Sequence, residues 1–313
     1  MRVKHEQYGI GYAENPFKDN GLTLIKVKFA FKEMVFSYPQ AFNNKTLIKI
    51  DDAQPTYTFT QVPQNFKSEL LSVVSEYIAD FNKQNNNPTV NQYIVKNSIP
   101  IVWFGDIKKY IKSEKKLLTI GLNPSNQEFK ENRFNIIDIS NPDNETAEKL
   151  SKTLNQYFEE NPYKFWFNKY ERLINVFDCT YGGNIAKKHN AKYQAVHIDL
   201  CTAIATNPTW RRLDKTQKEQ FKNKPLFFRL FNLLDPDLIL ISVNKDDLED
   251  HFPLTEWKKE NYYKFRGNNS ITIFKNNNKF LISGTNMQGM PFQGINEEES
   301  KKVLLDFKEK IYG

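Results

Sequence analysis

The feature that most constrains this chain is a short apolar segment that ends abruptly in an Asn-Pro turn. Residues 117–122 are mostly apolar, with lysines before them and Asn123 after them, which predicts a buried strand. Pro124 cannot donate to a sheet ladder and favours an extended Asn123, so the strand ends there. Asn123 and Ser125 therefore fall at the carboxyl end of a strand, where open α/β sheets place ligands. An ordinary strand-to-loop turn is the alternative interpretation.

The rest of the chain alternates strands with helices. Further apolar segments of strand length lie at about 193–200 and 237–242, and a hairpin at about 270–283 supplies the last one. Amphipathic helical patterns lie at about 66–81, 145–160, 166–176, 215–222, from 225 onward, and 296–311. This alternation predicts an α/β domain over residues 64–313, with a mostly parallel four-stranded sheet between helices.

Residues 1–53 have a different pattern, which predicts a small β module. Ile25, Val27, Phe29 and Phe31 alternate with other residues, as in a strand with one buried face, and residues 34–38 complete a hairpin. The module resembles the small SH3- or Tudor-like barrels that are appended to nucleic-acid enzymes. Docking of protein or DNA and a purely structural role are both open. The polar, proline-containing residues 54–63 predict a linker.

The charge balance is compatible with a polyanionic partner. The chain carries 44 Lys and Arg against 37 Asp and Glu, a formal net charge of +7. Basic residues cluster at Lys108, Lys109, Lys112, Lys115 and Lys116, at Lys187, Lys188 and Lys192, and at Arg211, Arg212, Lys215 and Lys218. Each cluster taken alone is equally compatible with a solvated surface.

Cysteine and histidine usage limits the chemistry. The two cysteines, Cys179 and Cys201, exclude a disulfide framework and a four-cysteine metal site, and the four histidines lack zinc spacing. We therefore expect no metal and no cofactor. No apolar segment approaches bilayer length and the first residues lack a signal-peptide core, so we expect a cytoplasmic protein without membrane contact. We also expect the protein to be a monomer.

Three segments, in order along the chain, resemble motifs of the uracil-DNA glycosylase superfamily. Residues 121–125, Gly-Leu-Asn-Pro-Ser, resemble the Gly-x-Asn-Pro-Gly motif of its mismatch-specific and single-strand-selective branches. Residues 196–201, Val-His-Ile-Asp-Leu-Cys, are similar to a Val-His-Asn-Leu-Cys strand in which the Asn reads the flipped base. Asp199 would take that position, with one residue inserted before it.

The third segment is Ser283 to Pro291, which resembles an Asn-Pro-Ser-Gly-Leu loop of the mismatch-specific branch. Asn286 and Gly289 match that motif, and Met290 replaces the leucine that wedges into the duplex. Met287 and Gln288 depart from it. A Gly-containing surface loop is the alternative interpretation.

The resemblance implies a monofunctional DNA glycosylase that flips a base out of DNA and hydrolyses its glycosidic bond. Asn123 would orient the attacking water, and Asn286 would position the water or donate to the leaving base. Either Phe129 or Phe134 would stack on the flipped base, with Ser125 and Asp199 beside it. The expected contacts with the DNA gap and phosphates come from Gln288, Gly289 and Met290, with Met290 as the wedge. Branches that carry an iron–sulfur cluster on four cysteines are excluded.

Two departures from the family pattern bear on the base. In the branch strict for uracil, a tyrosine at the position of Ser125 blocks substituents on pyrimidine C5, and the small serine would leave that space open. An ionised Asp199 has only acceptors, so it would accept from the amino group of cytosine and repel uracil O4. Both departures favour a 5-modified cytosine, as in some phage genomes, and thus a defence role. Uracil or mismatch repair, a non-catalytic DNA-binding module and an enzyme of free nucleosides are the alternatives.

Overall fold

The computed structural model describes residues 2–5, 9–29, 32–49, 64–131, 133–186, 190–252, 254–267, 269–284 and 290–312. The predicted linker lies outside these ranges, as do Lys187 and Lys188 of one basic cluster. The predicted site residues Asn286, Gln288 and Gly289 also lie outside the described residues.

The N-terminal residues form an antiparallel sheet. Its strands are β1 (Arg2–His5), β2 (Gly9–Ala13), β3 (Phe17–Asp19), β4 (Leu22–Phe29), β5 (Lys32–Ser37) and β6 (Leu47–Lys49), with helix α1 (Gln40–Asn43) before the last. The order is β3-β4-β2-β1-β6, and β5 pairs with β4. Ile25 and Val27 are buried, so the predicted alternation is confirmed there. All pairings in this sheet are antiparallel, and barrel closure stays a prediction.

The larger sheet has seven strands. They are β7 (Leu117–Gly121), β8 (Cys179–Thr180), β9 (Tyr193–Asp199), β10 (Leu238–Ile241), β11 (Lys258–Lys264), β12 (Ser270–Asn276) and β13 (Lys279–Gly284). The order is β11-β12-β13-β10-β7-β9-β8. Neighbours from β13 to β8 are parallel, whereas β11 and β12 are antiparallel additions at one edge.

Helices pack around this sheet. They are α2 (Gln64–Asn85), α3 (Ile107–Lys112), α4 (Asn144–Asn155), α5 (Lys164–Ile174), α6 (Lys215–Phe221), α7 (Lys224–Leu234), α8 (Lys245–His251) and α9 (Glu297–Tyr312). Short 3-10 helices lie at Asn91–Tyr93, Asn126–Phe129, Asn175–Phe177, Gly183–Ile185, Trp210–Arg212 and Leu254–Glu256. Helix α2 contacts α4 and α7, whereas α5 contacts α9. No helix among the described residues is long and apolar enough to cross a membrane.

The predicted four-stranded sheet is too small, although its four strands are present. β7 and β10 are wholly buried, which explains their uninterrupted apolar sequences. β11 is mostly exposed and consists of Lys, Glu, Asn and Tyr, so it carries no apolar signal. β8 is only two residues long. The sheet is therefore extended by β8 and β11, which are strands because of their pairing with neighbouring strands and not because of an apolar sequence.

Two separate apolar cores accompany the two sheets. The smaller core comprises Val3, Ala13, Ile25, Val27, Ala41 and Leu47. The larger one extends from Leu70 on α2 to Phe307 on α9 and includes the interior of the parallel strands. Separate cores are what independently folding units require, although the predicted boundary itself stays a prediction.

Candidate functional site at the carboxyl edge of the large sheet

The central strand β7 and its neighbour β9 end side by side. Gly121, the last residue of β7, is in register with Asp199, the last residue of β9. The chain places β8 and β9 on one side of β7, and β10 and β13 on the other, so the strand order reverses at β7. A crevice at the carboxyl ends of strands beside such a reversal is the usual ligand site of an α/β sheet.

The turn after β7 uses the Asn123 side chain to join two loops. Its amide nitrogen donates to the Pro124 carbonyl at 2.7 Å and to the Thr206 hydroxyl at 2.9 Å. Both amide protons are thereby committed, and the acceptor Oδ1 remains for another partner. Asn123 is half-buried, so a water molecule that donates to Oδ1 would be held at the sheet edge.

Thr206 belongs to a buried loop that follows β9 and is held from two sides. The Thr206 amide donates to Pro124 at 3.4 Å. On the other side, the amides of Val95 and Ile101 donate to Ala205 and Ala203 at 3.0 and 2.8 Å. The loop is therefore a preorganised support for Asn123. Thr206 has no family motif and no local signal in the sequence.

Ser125 begins the short helix Asn126–Phe129. Its hydroxyl accepts from the Gln127 amide at 3.2 Å, an N-cap interaction that a small polar side chain supplies. Ser125 is half-buried beside Thr206, with which it forms an isolated parallel bridge. The position next to the Asn123 turn is thus occupied by a short side chain, and the role expected for Ser125 beside a base stays a prediction.

Glu128 is the principal residue that the sequence analysis missed. The spacing Ser125-x-x-Glu128 is that of a capping box, in which the glutamate points back to the helix start. Instead Glu128 is buried, with 6% of its surface exposed, and accepts a short hydrogen bond from the Tyr157 hydroxyl. The pKa of Glu128 is raised to about 8, mainly by burial and in part by the negative charge of Asp199, against the opposing effects of Tyr157 and Arg133.

Arg133 holds the segment that carries Glu128. One guanidinium nitrogen donates to the carbonyls of Gln127 and Lys130 at 3.0 and 3.1 Å, and the other pairs with Glu131 at 2.7 Å. The arginine is buried and lies over the Tyr163 ring at 5.3 Å. This clamp fixes the backbone on both sides of Glu128 and makes Arg133 a positioning residue.

Asp199 lies at the site as predicted from its strand end. Its side chain is 4% exposed, and Oδ1 lies 3.6 Å from His197 Nε2. Gly121 makes room for it, because a Cβ at that position would lie 2.5 Å from Asp199 Oδ1. His197 is itself held through Nδ1 by the Thr119 hydroxyl at 2.8 Å. Within the described residues, no hydrogen bond to the Asp199 carboxylate is formed, so its oxygens remain available to a ligand.

The two candidate stacking residues differ in accessibility. Phe134 is buried and stacks on Tyr157, with ring centroids 4.8 Å apart. Phe129 is half-buried and lies 5.6 Å from Phe134. Phe129 is therefore the more accessible of the two rings, whereas Phe134 belongs to the buried aromatic cluster. That cluster also contains Phe104, whose ring lies 5.5 Å from His197.

Met290 follows β13 and is half-buried. Phe292, two residues later, attaches this segment to the sheet edge. Its amide donates at 2.9 Å to the hydroxyl of Ser242, the residue that follows β10. The ring packs so closely on Gly284 that a Cβ there would overlap it. The carboxyl ends of β10 and β13 thus carry Met290 at the same edge of the sheet as Asn123.

The basic clusters lie at different edges. Lys115 and Lys116 immediately precede β7, and the Ser113 hydroxyl beside them accepts from the Gln194 amide at the start of β9. That cluster therefore lies at the amino edge, away from the candidate site. Arg211 and Arg212 are exposed and follow the carboxyl-edge loop that holds Asn123. Of these two clusters, the arginine pair is the one that lies near the candidate site.

In the described part of the chain, no group of three His, Cys, Asp or Glu side chains is arranged to hold a metal ion. The site is composed of two buried carboxyl groups, Glu128 and Asp199, an amide acceptor and aromatic rings. Comparisons of the sequence with models of protein families and with curated proteins found no match. The chemistry of the site has to be inferred from its own residues.

Proposed function

We propose that this protein is a monofunctional DNA glycosylase with the fold of the uracil-DNA glycosylase superfamily, which removes a 5-modified cytosine from DNA. The observation that carries the proposal is the position of Asn123 and Asp199 at adjoining strand ends. One offers an amide oxygen to water, and the other offers acceptors to an amino group. A base that is flipped towards these strand ends would meet both.

Hydrolysis of a glycosidic bond builds positive charge on the sugar and negative charge on the base. Asn123 cannot remove a proton efficiently, but its Oδ1 can hold a water molecule in line with the sugar carbon. The DNA phosphates stabilise the cationic sugar. Such a mechanism depends on the orientation of the water molecule more than on a strong base. The Asn123 amide suits this role, because its protons are already donated to Pro124 and Thr206 and its oxygen is held in place.

Base selection would follow from the acceptors of Asp199 and the small size of Ser125. The amino group of cytosine donates to a carboxylate, whereas O4 of uracil is an acceptor and is repelled. Ser125 is short and its hydroxyl is turned to Gln127, so a substituent on C5 would meet no large side chain there. Modified cytosines of this kind occur in foreign DNA, so the activity would serve defence against it.

The test is a panel of oligonucleotides that contain uracil, cytosine, 5-hydroxymethylcytosine or a glucosylated 5-hydroxymethylcytosine. After incubation, alkaline cleavage reveals abasic sites. We expect release of a 5-substituted cytosine by the native protein and a loss of about 100-fold or more in Asn123→Ala, since one positioned polar group contributes a few kcal/mol. Ser140→Ala, an exposed serine outside the site, serves as the matched control.

Two outcomes would contradict the proposal. Efficient release of uracil with none from the modified cytosines would indicate a repair glycosylase. Tight binding of the modified oligonucleotides without any abasic product would indicate a non-catalytic DNA-binding module. In the first case Asp199 would have a role other than the recognition of an amino group.

A further inference from the structure

Glu128 has a buried carboxyl group, and neither the turn after β7 nor the family resemblance assigns a role to it. The Tyr157 hydroxyl accepts from the Tyr163 amide at 2.9 Å and donates its single proton to Glu128 Oε2. A proton on the carboxyl therefore resides on Oε1. Within the described residues, Oε1 makes no hydrogen bond. A protonated Glu128 carboxyl thus presents a donor that no described residue uses.

The surroundings of Glu128 favour its protonated form. Burial is the main cause, and Asp199 acts in the same direction because two neighbouring carboxyls in a poorly solvated site do not both ionise. Arg133 and the hydrogen bond from Tyr157 act in the opposite direction. Tyr163, whose pKa is raised by burial and by Glu128, completes the set of titratable groups around it.

We propose that Glu128 is a further catalytic residue, an inference that rests on the proposed function. Glu128 would act as a general acid that donates its Oε1 proton to the ring nitrogen N3 of the departing cytosine. Asp199 accepts from the exocyclic amino group of the same base. One acid and one carboxylate then match the amino group and the acceptor nitrogen that lie side by side on cytosine.

The step balances without a further reactant. The bond between the sugar C1′ and the base N1 breaks, and its electron pair goes to the base. Glu128 delivers its proton to N3, so the base leaves neutral. Water adds to C1′, and its released proton restores the Glu128 carboxyl through solvent. The net reaction is hydrolysis, and the protein is unchanged.

The same pair of groups discriminates against uracil at both positions. Uracil carries a proton on N3, which would meet the donor of Glu128, and an acceptor at O4, which would meet the carboxylate of Asp199. Both contacts are then between like groups. Exclusion of uracil therefore does not depend on a steric block at Ser125, and it leaves the space beside C5 open.

The experiment is single-turnover excision of 5-hydroxymethylcytosine between about pH 5 and pH 10. In the native protein we expect the rate to fall about tenfold for each pH unit once Glu128 ionises. Glu128→Gln keeps an acceptor for Tyr157 but has no acidic proton, so we expect a loss of about 100-fold and no falling limb. Affinity for the DNA should change little.

A second variant keeps the test decisive if Glu128→Gln folds poorly. Tyr157→Phe retains the acid but removes a hydrogen bond that lowers the pKa of Glu128, so the falling limb should move to higher pH. A limb that stays in place in Tyr157→Phe, or persists in a folded Glu128→Gln, would overturn the inference. If the native protein excises the base and Glu128→Gln retains full activity, only this inference fails. If the native protein excises no base, the proposed function fails with it.

Discussion

Replacement of Glu128 by glutamine should change how the stability of the protein depends on pH. The pKa of Glu128 is raised from 4.5 to about 8 in the folded chain, mainly by burial. Between these values the folded protein holds a proton that the unfolded chain has lost. The free energy of unfolding therefore falls as pH rises from about 4.5 to about 8. Above that range Glu128 causes no further decline.

The size of this effect follows from the shift. Each pKa unit corresponds to about 1.4 kcal/mol, so the shift from 4.5 to about 8 gives a decline of up to about 5 kcal/mol. Glu128 is almost completely buried, so solvent screens little of this free energy. Glutamine has nearly the same shape and accepts from Tyr157, but it does not ionise. The variant should therefore lack this decline.

Urea unfolding at a series of pH values between about 5 and 9 measures the effect, because the difference between the two curves isolates residue 128 from other titrating groups. Glu159→Gln, an exposed glutamate beyond Tyr157, is the matched control and should follow the native curve. Parallel curves for Glu128→Gln and the native protein would refute the reasoning and would mean that residue 128 is ionised in both states.

Two further predictions concern DNA. Arg211→Ala combined with Arg212→Ala should weaken DNA binding and reduce the slope of log affinity against log salt by about 2. Lys108→Ala combined with Lys112→Ala, at exposed positions of α3, should leave the affinity and the slope nearly unchanged. Salt titrations by fluorescence anisotropy measure both quantities, and equal effects of the two pairs would contradict the placement of the site. Met290→Ala should slow excision from duplex DNA more than from single strands, because a wedge is needed only where a stack is opened. Equal losses in single-turnover assays on the two substrates would assign Met290 to packing.

The parallel strands were predictable because burial on both faces leaves an uninterrupted apolar sequence. β7 and β10 are of this kind, and the ends of β7 and its neighbour β9 lie side by side, with Asp199 at the end of β9 and Asn123 just after β7. β11 was missed because an exposed antiparallel strand at the sheet edge has no such signal. Strand pairing there is decided by its neighbour and not by its own side chains.

The missed parts of the site share a physical reason. The raised pKa of Glu128 comes mainly from burial in the folded chain, with Tyr157 and Asp199, which are distant in sequence, as further influences. Thr206 reaches Asn123 only because the fold brings them together. Local patterns identify residues that end strands or cap helices. They do not report the tertiary contacts that bury a carboxyl or commit an amide.

The contact between Gly121 and Asp199 has a consequence for engineering. Even alanine at position 121 would place its Cβ 2.5 Å from Asp199 Oδ1, so any substitution here would displace the carboxyl group. Position 125 is different, because Thr, Asn or Asp can replace serine as the N-cap while changing the volume beside the turn. A directed-evolution library intended to alter which base is accepted should therefore vary residue 125 and leave residue 121 as glycine.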